Sequence, residues 1–347
     1  MRIGDAKSDY ASDEALFDSQ TARVWFGILL AVMAIFPFVA SPYLLYLSCL
    51  VGIALISATG LNILTGYTGQ ISMGQAGFMG VGGYTVAWFS NNTELSMLVA
   101  LPAAGLLAAG IGVLVGAPSL RVKGLYLAIA TLASSVILHF IFVEWEPVTG
   151  GIGGLTIEPA SLLGFSFDTD QKIYWLIMPL AVLMLLAARN LFRTRIGRAF
   201  IAIRDRDLSA EILGINLFRY KLLSFGISSF YAGVAGGLFA YFFKAITPES
   251  FPLAMSIFYL AAIIVGGMGS ILGGILGAIF MTLVPEGLKA LTAFVTPYYP
   301  DAPLILSPMR EVIFGALIVG FLIFEPHGLA EIWRRIRRFF HLWPFKT

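Results

Sequence analysis

The stretch LFRTRIGRAFIAIRDRDLSAEILGIN, residues 191–216, is a long charged segment between apolar runs. The chain of 347 residues is 58% hydrophobic and only 12% charged, whereas ordinary soluble domains are about 25% charged. Its composition therefore predicts a polytopic membrane protein. In such a protein the charged segment is a large loop outside the hydrocarbon core, because charged side chains are costly at membrane depth.

Apolar stretches on both sides of this segment approach the length of about 20 residues that a helix needs to cross a bilayer. We predict an all-α polytopic protein with about 9–10 membrane-entering helices, in a single transmembrane domain over residues 24–325. Residues 1–23 are predicted to be a solvated tail, and residues 326–347 a second tail that alternates basic and aromatic side chains. The predicted spans are residues 24–40, 43–64, 66–89, 95–116, 125–142, 173–188, 222–243, 255–284 and 312–324.

The distribution of basic residues predicts the orientation of these spans. Arg and Lys side chains cluster at 121–123, 193–221 and 334–338, whereas the loop 144–171 carries carboxylates and no Arg or Lys. Because cytoplasmic loops are enriched in Lys and Arg, we expect the three basic segments and both termini in the cytoplasm. The acidic loop 144–171 is expected on the outside.

The apolar run 255–284 creates a problem of parity. Counted as one span, it would place the basic C-terminal tail outside, but the sequence Gly-Gly-Met-Gly-Ser at 266–270 interrupts it. Two membrane-entering helices with a break between them return the tail to the inside. Irregular backbone at membrane depth is tolerated only where protein or a water-filled cavity covers it, so we expect the break to be buried or to face the solute pathway.

A second glycine-rich interruption, GYTGQISMGQAGFMGVGGY, lies at residues 66–84 in the first half. Paired interruptions in two halves indicate an inverted repeat with a transport site at its interface, although two unrelated breaks explain the pattern equally well. Polar side chains in and before this stretch are candidates to line the pathway; the alternative is that they satisfy backbone groups freed by the break. These pathway candidates are Asn62, Thr65, Gln70, Ser72 and Gln75.

The second part of the charged segment predicts a short amphipathic helix over residues 207–213. Asp207 is a favourable N-cap and Gly214 a favourable residue just after the C-terminus. Leu208, Ile212 and Ile215 share one face at helical spacing. Such a helix below the membrane suits docking into a groove on another protein, and the alternative is a basic loop that contacts anionic lipid.

Several chemistries are not indicated by the residues. Cys49 is the only cysteine, the three histidines are far apart in sequence, and no P-loop or Gly-x-Ser-x-Gly motif is present. We therefore predict no catalytic, cofactor-binding or metal-binding residues. We find no ionisable side chain clearly at mid-depth of a span, which disfavours an ion-coupled carrier and leaves an externally driven transporter or a passive channel-like facilitator. The basic-aromatic tail favours contact with membrane lipid, not with nucleic acid.

A set of motifs, in order along residues 44–329, resembles the membrane permeases of branched-chain amino-acid ABC importers. The motif GQISMGQAGF at 69–78 is followed by Gly-Gly-Tyr at 82–84. The others are RVKGLY at 121–126, TGGIGGL at 149–155, GRAFIAIR at 197–204, the glycine-rich segment 266–274 and PHGL at 326–329. Residues before about 24 lie outside the resemblance.

This resemblance implies a type II-like ABC importer permease in a bacterial cytoplasmic (inner) membrane. Its implied partners are a homologous permease in a heterodimer, two cytoplasmic ATPase subunits that bind ATP-Mg, and a periplasmic substrate-binding protein. Branched-chain or other neutral amino acids are the implied solutes, with urea, short amides or aromatic acids as alternatives. Residues 191–219 become a cytoplasmic coupling loop, in which the docking residues are Arg204, Arg206, Asp207, Leu208, Glu211, Ile212 and Gly214. By analogy, Glu144, Glu146 and Glu158 in the periplasmic loop are candidates to contact the binding protein, or they are simply solvated.

Overall fold

A computed structural model describes residues 20–92, 97–122, 124–162, 165–295, 302–325 and 328–342. Residues 1–19 of the predicted N-terminal tail lie outside these ranges, as do Lys123, Pro326, His327 and residues 343–347. The predictions made for these residues are therefore not addressed by the structure.

The described chain is almost entirely helical, which confirms the predicted fold class. Its helices are α1 Gln20–Val39, α2 Pro42–Leu61, α3 Gln75–Asn92, α4 Met97–Ser119, α5 Leu125–Glu144, α6 Glu146–Thr149, α7 Asp170–Leu191, α8 Arg195–Asp205, α9 Asp207–Ile212, α10 Leu217–Phe243, α11 Leu253–Gly266, α12 Ile271–Val295, α13 Ala302–Phe324 and α14 Leu329–Leu342. A π-helix, Asn62–Tyr67, continues α2. Two antiparallel pairs of two-residue strands connect helices: β1 Leu155–Thr156 with β4 Ala245–Ile246, and β2 Ser161–Leu162 with β3 Phe165–Ser166.

Within the described ranges, seven helical segments are long and apolar enough to cross a membrane, and two shorter apolar helical segments, Arg23–Val39 and Val312–Phe321, accompany them. The seven are Pro42–Tyr67, Met97–Ser119, Leu125–Glu144, Asp170–Leu191, Leu217–Phe243, Pro248–Gly266 and Ile271–Ala290. With α3 these make ten apolar or buried helices, in agreement with the predicted count of about 9–10.

Helix α3 corrects the predicted span 66–89. Its first residue is Gln75, and the preceding residues 68–74 are largely non-helical. Positive φ at Gly69 (+72°) and the end of the π-helix at Tyr67 separate it from α2. Most of α3 is buried because it lies between α4 and α10, so it can carry polar residues that a lipid-facing helix would not tolerate.

Glycines allow the backbones of the central helices to approach closely. A Cβ at Gly82 on α3 would overlap the carbonyl group of Gly233 on α10, and one at Gly236 would overlap the carbonyl of Met79. The Gly-x-x-x-Gly pairs of the sequence likewise contact other helices of the same chain: Gly112 faces Ser229. These glycines serve packing between helices of the chain, and α10 is the central helix of the bundle.

Contacts between distant helices define two ends of the bundle. At the first, which we call the loop end, β1 pairs with β4, Lys244 Nζ donates to the carbonyl of Asp168 (2.9 Å) and Gln171 Nε2 to that of Pro37 (3.0 Å). At the other, which we call the basic end, lie the α4–α5 connection, α8, α9 and α14. The acidic loop and the basic segments are thus separated as the charge distribution predicts.

The predicted break in the run 255–284 is confirmed. Helix α11 ends at Gly266 and α12 begins at Ile271, and the turn between them has positive φ at Gly267 (+113°) and Gly269 (+74°). Two helices therefore replace one long span, and the chain returns to the basic end at α14. There, Glu325 accepts two hydrogen bonds from the guanidinium of Arg335 (2.9 and 3.3 Å).

The position of the two breaks contradicts their assignment as equivalent points of an inverted repeat. Each break follows a helical segment of membrane-crossing length, Pro42–Tyr67 or Pro248–Gly266, and both lie at the basic end. There they are in contact, since a Cβ at Gly66 would overlap the backbone nitrogen of Gly269. Equivalent positions of inverted halves lie at opposite ends, so these two breaks are not such a pair.

Candidate functional site: the basic end and the buried polar residues

Helix α9, Asp207–Ile212, is the short helix predicted over residues 207–213 of the charged segment, and only its N-cap residue differs. Its N-cap residue is Arg206, in extended backbone conformation (φ −157°, ψ 106°), so Asp207 is the first helical residue and not the cap. The Asp207 Oδ1 atom accepts a hydrogen bond from the Leu208 N–H (2.9 Å), and Oδ2 lies 3.8 Å from Nζ of Lys221 on α10. The carboxylate therefore links the start of α9 to the bundle.

The C-terminus of α9 ends as predicted at Gly214. This glycine has φ +84°, its N–H donates to the Glu211 carbonyl (2.9 Å), and the Ile215 N–H donates to the Ala210 carbonyl (3.0 Å). These two hydrogen bonds form a Schellman motif, which satisfies carbonyl groups at the end of a helix. Helix α9 is thus a defined structural unit although it has only six residues.

The apolar face of α9 is open to solvent. Leu208, Ile212 and Leu213 are 69%, 86% and 79% exposed, while Ala210 on the opposite side is 1% exposed. Leu213 thus takes the place predicted for Ile215, which is only partly exposed. Glu211 is exposed beside them. Three neighbouring exposed large apolar side chains outside the predicted spans are typical of a protein-binding surface.

The two arginines before α9 have different environments. The Arg204 guanidinium donates from Nη1 to the carbonyl oxygen of Gly66 (2.9 Å), so it contacts the first glycine-rich break as well as solvent. Arg206 is exposed, and its side chain makes no hydrogen bond or ion pair with any other described residue. Arg206 is therefore the one of the two that remains available to an external partner.

Asn62 joins the two breaks. Its Oδ1 accepts a hydrogen bond from the Gly269 N–H (2.9 Å), and its Nδ2 donates to the Ser270 carbonyl (2.8 Å). At 3% exposure this side chain satisfies backbone groups of the turn between α11 and α12. These are the bonds expected of a side chain that satisfies backbone groups freed by a break.

The other four pathway candidates are also buried and bonded within the chain. Thr65 donates to the Gln70 carbonyl (3.1 Å), Gln70 Nε2 donates to Ser224 Oγ (2.8 Å), and Ser72 Oγ accepts from the Gly74 N–H (3.3 Å). Gln75 Nε2 donates to both the carbonyl and Oγ of Ser57 (2.9 Å each). All five candidates, Asn62 included, are 2–5% exposed.

Three polar residues that the sequence analysis did not single out complete this buried network. Ser256 Oγ accepts a hydrogen bond from the N–H of Ala76 in the first turn of α3 (2.9 Å). Ser57 bonds Gln75, and Tyr259, which is 4% exposed, interacts with the Ser57 side chain. The signal in the sequence was a serine within a largely apolar helix, at Ser57 and again at Ser256.

An open cavity of about 410 Å³ lies at the basic end between the first break, the α4–α5 connection and α9. Its lining includes Gly69, Gln70, Val122, Arg204, Arg206 and Lys221. The cavity shows that the inner side of the segment before α9 is not packed against the bundle along its whole length.

The acidic candidates lie at the loop end. Glu144 is the last residue of α5, Glu146 is the first of α6, and Glu158 follows β1; all three are exposed. The Ser90 hydroxyl donates to the backbone carbonyl of Glu158 (3.2 Å), which ties the loop to α3 while leaving the carboxylate in solvent. No group of three or more potential metal ligands occurs among the described residues.

A bundle of helices long and apolar enough to cross a membrane defines the class of a multi-pass membrane protein. The chain matches the family described as "Branched-chain amino acid transport system / permease component" over residues 43–322, and it belongs to that family. Members are permease subunits of ABC transporters and not enzymes.

Two kinds of relative illustrate the range of the family. The chain is 31% identical to the high-affinity branched-chain amino acid transport system permease protein LivM of Escherichia coli (strain K12), over 92% of this chain and 78% of the relative. It is 30% identical to the autoinducer 2 import system permease protein LsrC of Enterobacter sp. (strain 638), over 65% of this chain and 63% of the relative. No solved structure matches the chain.

Proposed function

We propose that this chain is one of two homologous permeases that together form the pathway of an ATP-driven importer for branched-chain or other neutral amino acids. The observation that carries the proposal is the exposed apolar face of α9, beyond the basic end of a permease of this family. A passive facilitator has no need of such a surface. The solute is inferred from the LivM-type relatives, which cover more of the chain at similar identity than the autoinducer 2 relative does.

The proposed orientation places the basic end in the cytoplasm and the loop end outside the cytoplasmic membrane. The arginines of α8 and α14, together with Arg206 just before α9, support this orientation, because Lys and Arg are enriched in cytoplasmic segments. A periplasmic binding protein would then meet the loop end, where the carboxylates of Glu144, Glu146 and Glu158 are exposed. Charges at such a rim would guide the encounter more than they would add affinity.

In this arrangement α9 docks into a groove on a cytoplasmic ATPase subunit, as amphipathic helices do in helix-in-groove recognition. Leu208, Ile212 and Leu213 would fill the groove, and Arg206 and Glu211 would form its charged rim. ATP-Mg would bind to the ATPase subunits and not to this chain. The geometry of this short helix, held by Gly214 and Asp207, would present the three apolar side chains together.

Reconstitution tests the proposal. The chain is purified with a homologous permease and two ATPase subunits of the same organism, and uptake of labelled leucine is measured in proteoliposomes with ATP inside and the binding protein outside. We expect uptake that requires all components, with competition by other neutral amino acids and none by urea or short amides. Uptake by this chain alone, independent of ATP, would establish the facilitator instead.

A further inference from the structure

Arg204 lies in the last turn of α8, directly before α9, and contacts the helix bundle. Ala199, Phe200 and Ile203 are buried and hold α8 against its neighbours. Arg204 follows them, two residues before the N-cap of α9. A displacement of α9 therefore reaches Arg204 through a backbone segment of only two residues.

The partner of Arg204 is a carbonyl group at the end of a helix. Gly66 lies in the last turn of the π-helix Asn62–Tyr67, where carbonyl groups lack partners within the helix. The Leu64 carbonyl of the same helix accepts a hydrogen bond from the N–H of Gln70, beyond the helix end (3.1 Å). The guanidinium supplies a charge-assisted hydrogen bond to Gly66, and its charge is favourable at a helix C-terminus.

The same guanidinium touches the second break. A Cβ at Gly269 would overlap Nη1 of Arg204 and lie 2.8 Å from the Gly66 carbonyl oxygen. Since Asn62 bonds Gly269 and Ser270, Arg204 contacts a pair of breaks that are already joined to each other. One side chain thus meets α8, the end of α2 and the turn between α11 and α12.

We propose that Arg204 is a positioning residue that transmits movement of the docked α9 to both glycine-rich breaks. This inference rests on the proposed function and assigns Arg204 to transmission and not to the rim of the ATPase groove. A π-helical segment suits this role because such segments occur often at functional sites. Packed side chains and hydrogen bonds can carry energetic coupling between distant sites, and the contacts of Arg204 form such a link from α9 to the breaks.

The test uses the complete importer in proteoliposomes and measures solute imported per ATP hydrolysed. For Arg204→Gln we expect this ratio to fall by about tenfold, within the range of about 5- to 150-fold that is typical of coupling between sites. The ATPase subunits should still co-purify, because the apolar face of α9 is unchanged. Arg204→Lys, which retains a charged donor toward Gly66, should recover part of the ratio.

A second variant, at Gly269, disturbs the contact between Arg204 and the two breaks without changing Arg204 itself. Gly269→Ala, at φ +74°, places a methyl group where Nη1 of Arg204 lies and should lower the ratio in the same way. The double variant should be no worse than the more affected single variant, because both changes break one connection. Arg198→Gln is the matched control: Arg198 is an exposed arginine on α8 whose Nη1 bonds the nearby Arg193 carbonyl (3.2 Å), so its ratio should remain that of the wild type.

Three results would overturn the inference. They are an unchanged ratio in Arg204→Gln, an equal fall in Arg198→Gln, and loss of the ATPase subunits from the Arg204→Gln complex, which would return Arg204 to the docking surface. Failure of the proposed function is distinguishable from all three, because the wild-type chain would then neither retain ATPase subunits nor support ATP-dependent uptake.

Discussion

The exposed apolar side chains of α9 predict that partner binding and folding stability can be separated by mutation. Leu208→Ala, Ile212→Ala and Leu213→Ala should each weaken binding of the ATPase subunit. Complete burial of a Leu or Ile side chain contributes about 1.5–3 kcal/mol, and alanine retains part of that area, so each truncation should cost about 1–2 kcal/mol. This cost corresponds to an increase of about 5- to 30-fold in the dissociation constant.

The size of the effect should follow exposure in the free permease. Ile212, which is 86% exposed, has the most surface to bury, followed by Leu213 at 79% and Leu208 at 69%. The same side chains contribute little to the fold, because surface substitutions usually change the free energy of unfolding by about 0.5 kcal/mol or less. The thermal stability of each variant permease alone should therefore match the wild type.

The assay is a titration of ATPase subunits onto the permease pair in nanodiscs, with thermal unfolding of the permease measured in parallel. Ile152→Ala is the matched control, since Ile152 is 78% exposed but lies at the loop end. It should leave the dissociation constant unchanged. An unaltered dissociation constant for both Ile212→Ala and Leu213→Ala, or a loss of permease stability equal to the loss of binding, would refute the docking role of this face.

Three further predictions concern the scaffold. Gly82→Ala should destabilise the protein by about 1–3 kcal/mol, because the new methyl group meets the backbone of Gly233; thermal unfolding in detergent measures this, and Gly110→Ala, with open space around it, is the control. Gly214→Ala places a Cβ in left-handed backbone at a cost of about 1–2 kcal/mol and should weaken ATPase binding through fraying of α9, detectable by hydrogen exchange of that helix. Asn62→Ala removes the partner of the Gly269 N–H and one of the two hydrogen bonds to the Ser270 carbonyl. Loss of a partner by a buried group costs about 1–3 kcal/mol, so the variant should speed proteolysis at that turn; unchanged cleavage would contradict the bridging role.

Much of the fold follows from features that are local in sequence. The parity of basic segments located the break at Gly266 and Gly269, since only an additional membrane-entering helix returns the C-terminal arginines to the basic end. The start of α3 at Gln75 could not be located in the same way. A run of glycines and small apolar residues has the hydropathy of a span whether it is helical or extended, and only packing between α4 and α10 determines where the helix begins.

In the candidate site, too, features set by neighbouring residues were predictable and contacts between distant residues were not. The end of α9 was predictable because a Schellman motif depends on one glycine, Gly214, a few residues from its partners. The N-cap differed by one residue because Arg206 is extended and takes that position, although local side-chain preference favours Asp207 as the cap. The contact from Arg204 to Gly66 spans 138 residues of sequence, so charge pattern alone could only place this arginine in a basic loop.

The hydrogen bonds of the buried polar residues bear on where a solute could cross. Gln70, Gln75 and Asn62 lie within the bundle, yet each bonds a group of the same chain and is at most 4% exposed. A polar solute would have to break these bonds to pass among them, leaving buried polar groups unpaired at about 1–3 kcal/mol each. A route between two permeases avoids this cost because it needs only side chains at the surface of each. Such a route would leave the interior polar residues with their present hydrogen bonds, which is what the proposed pairing with a second permease predicts.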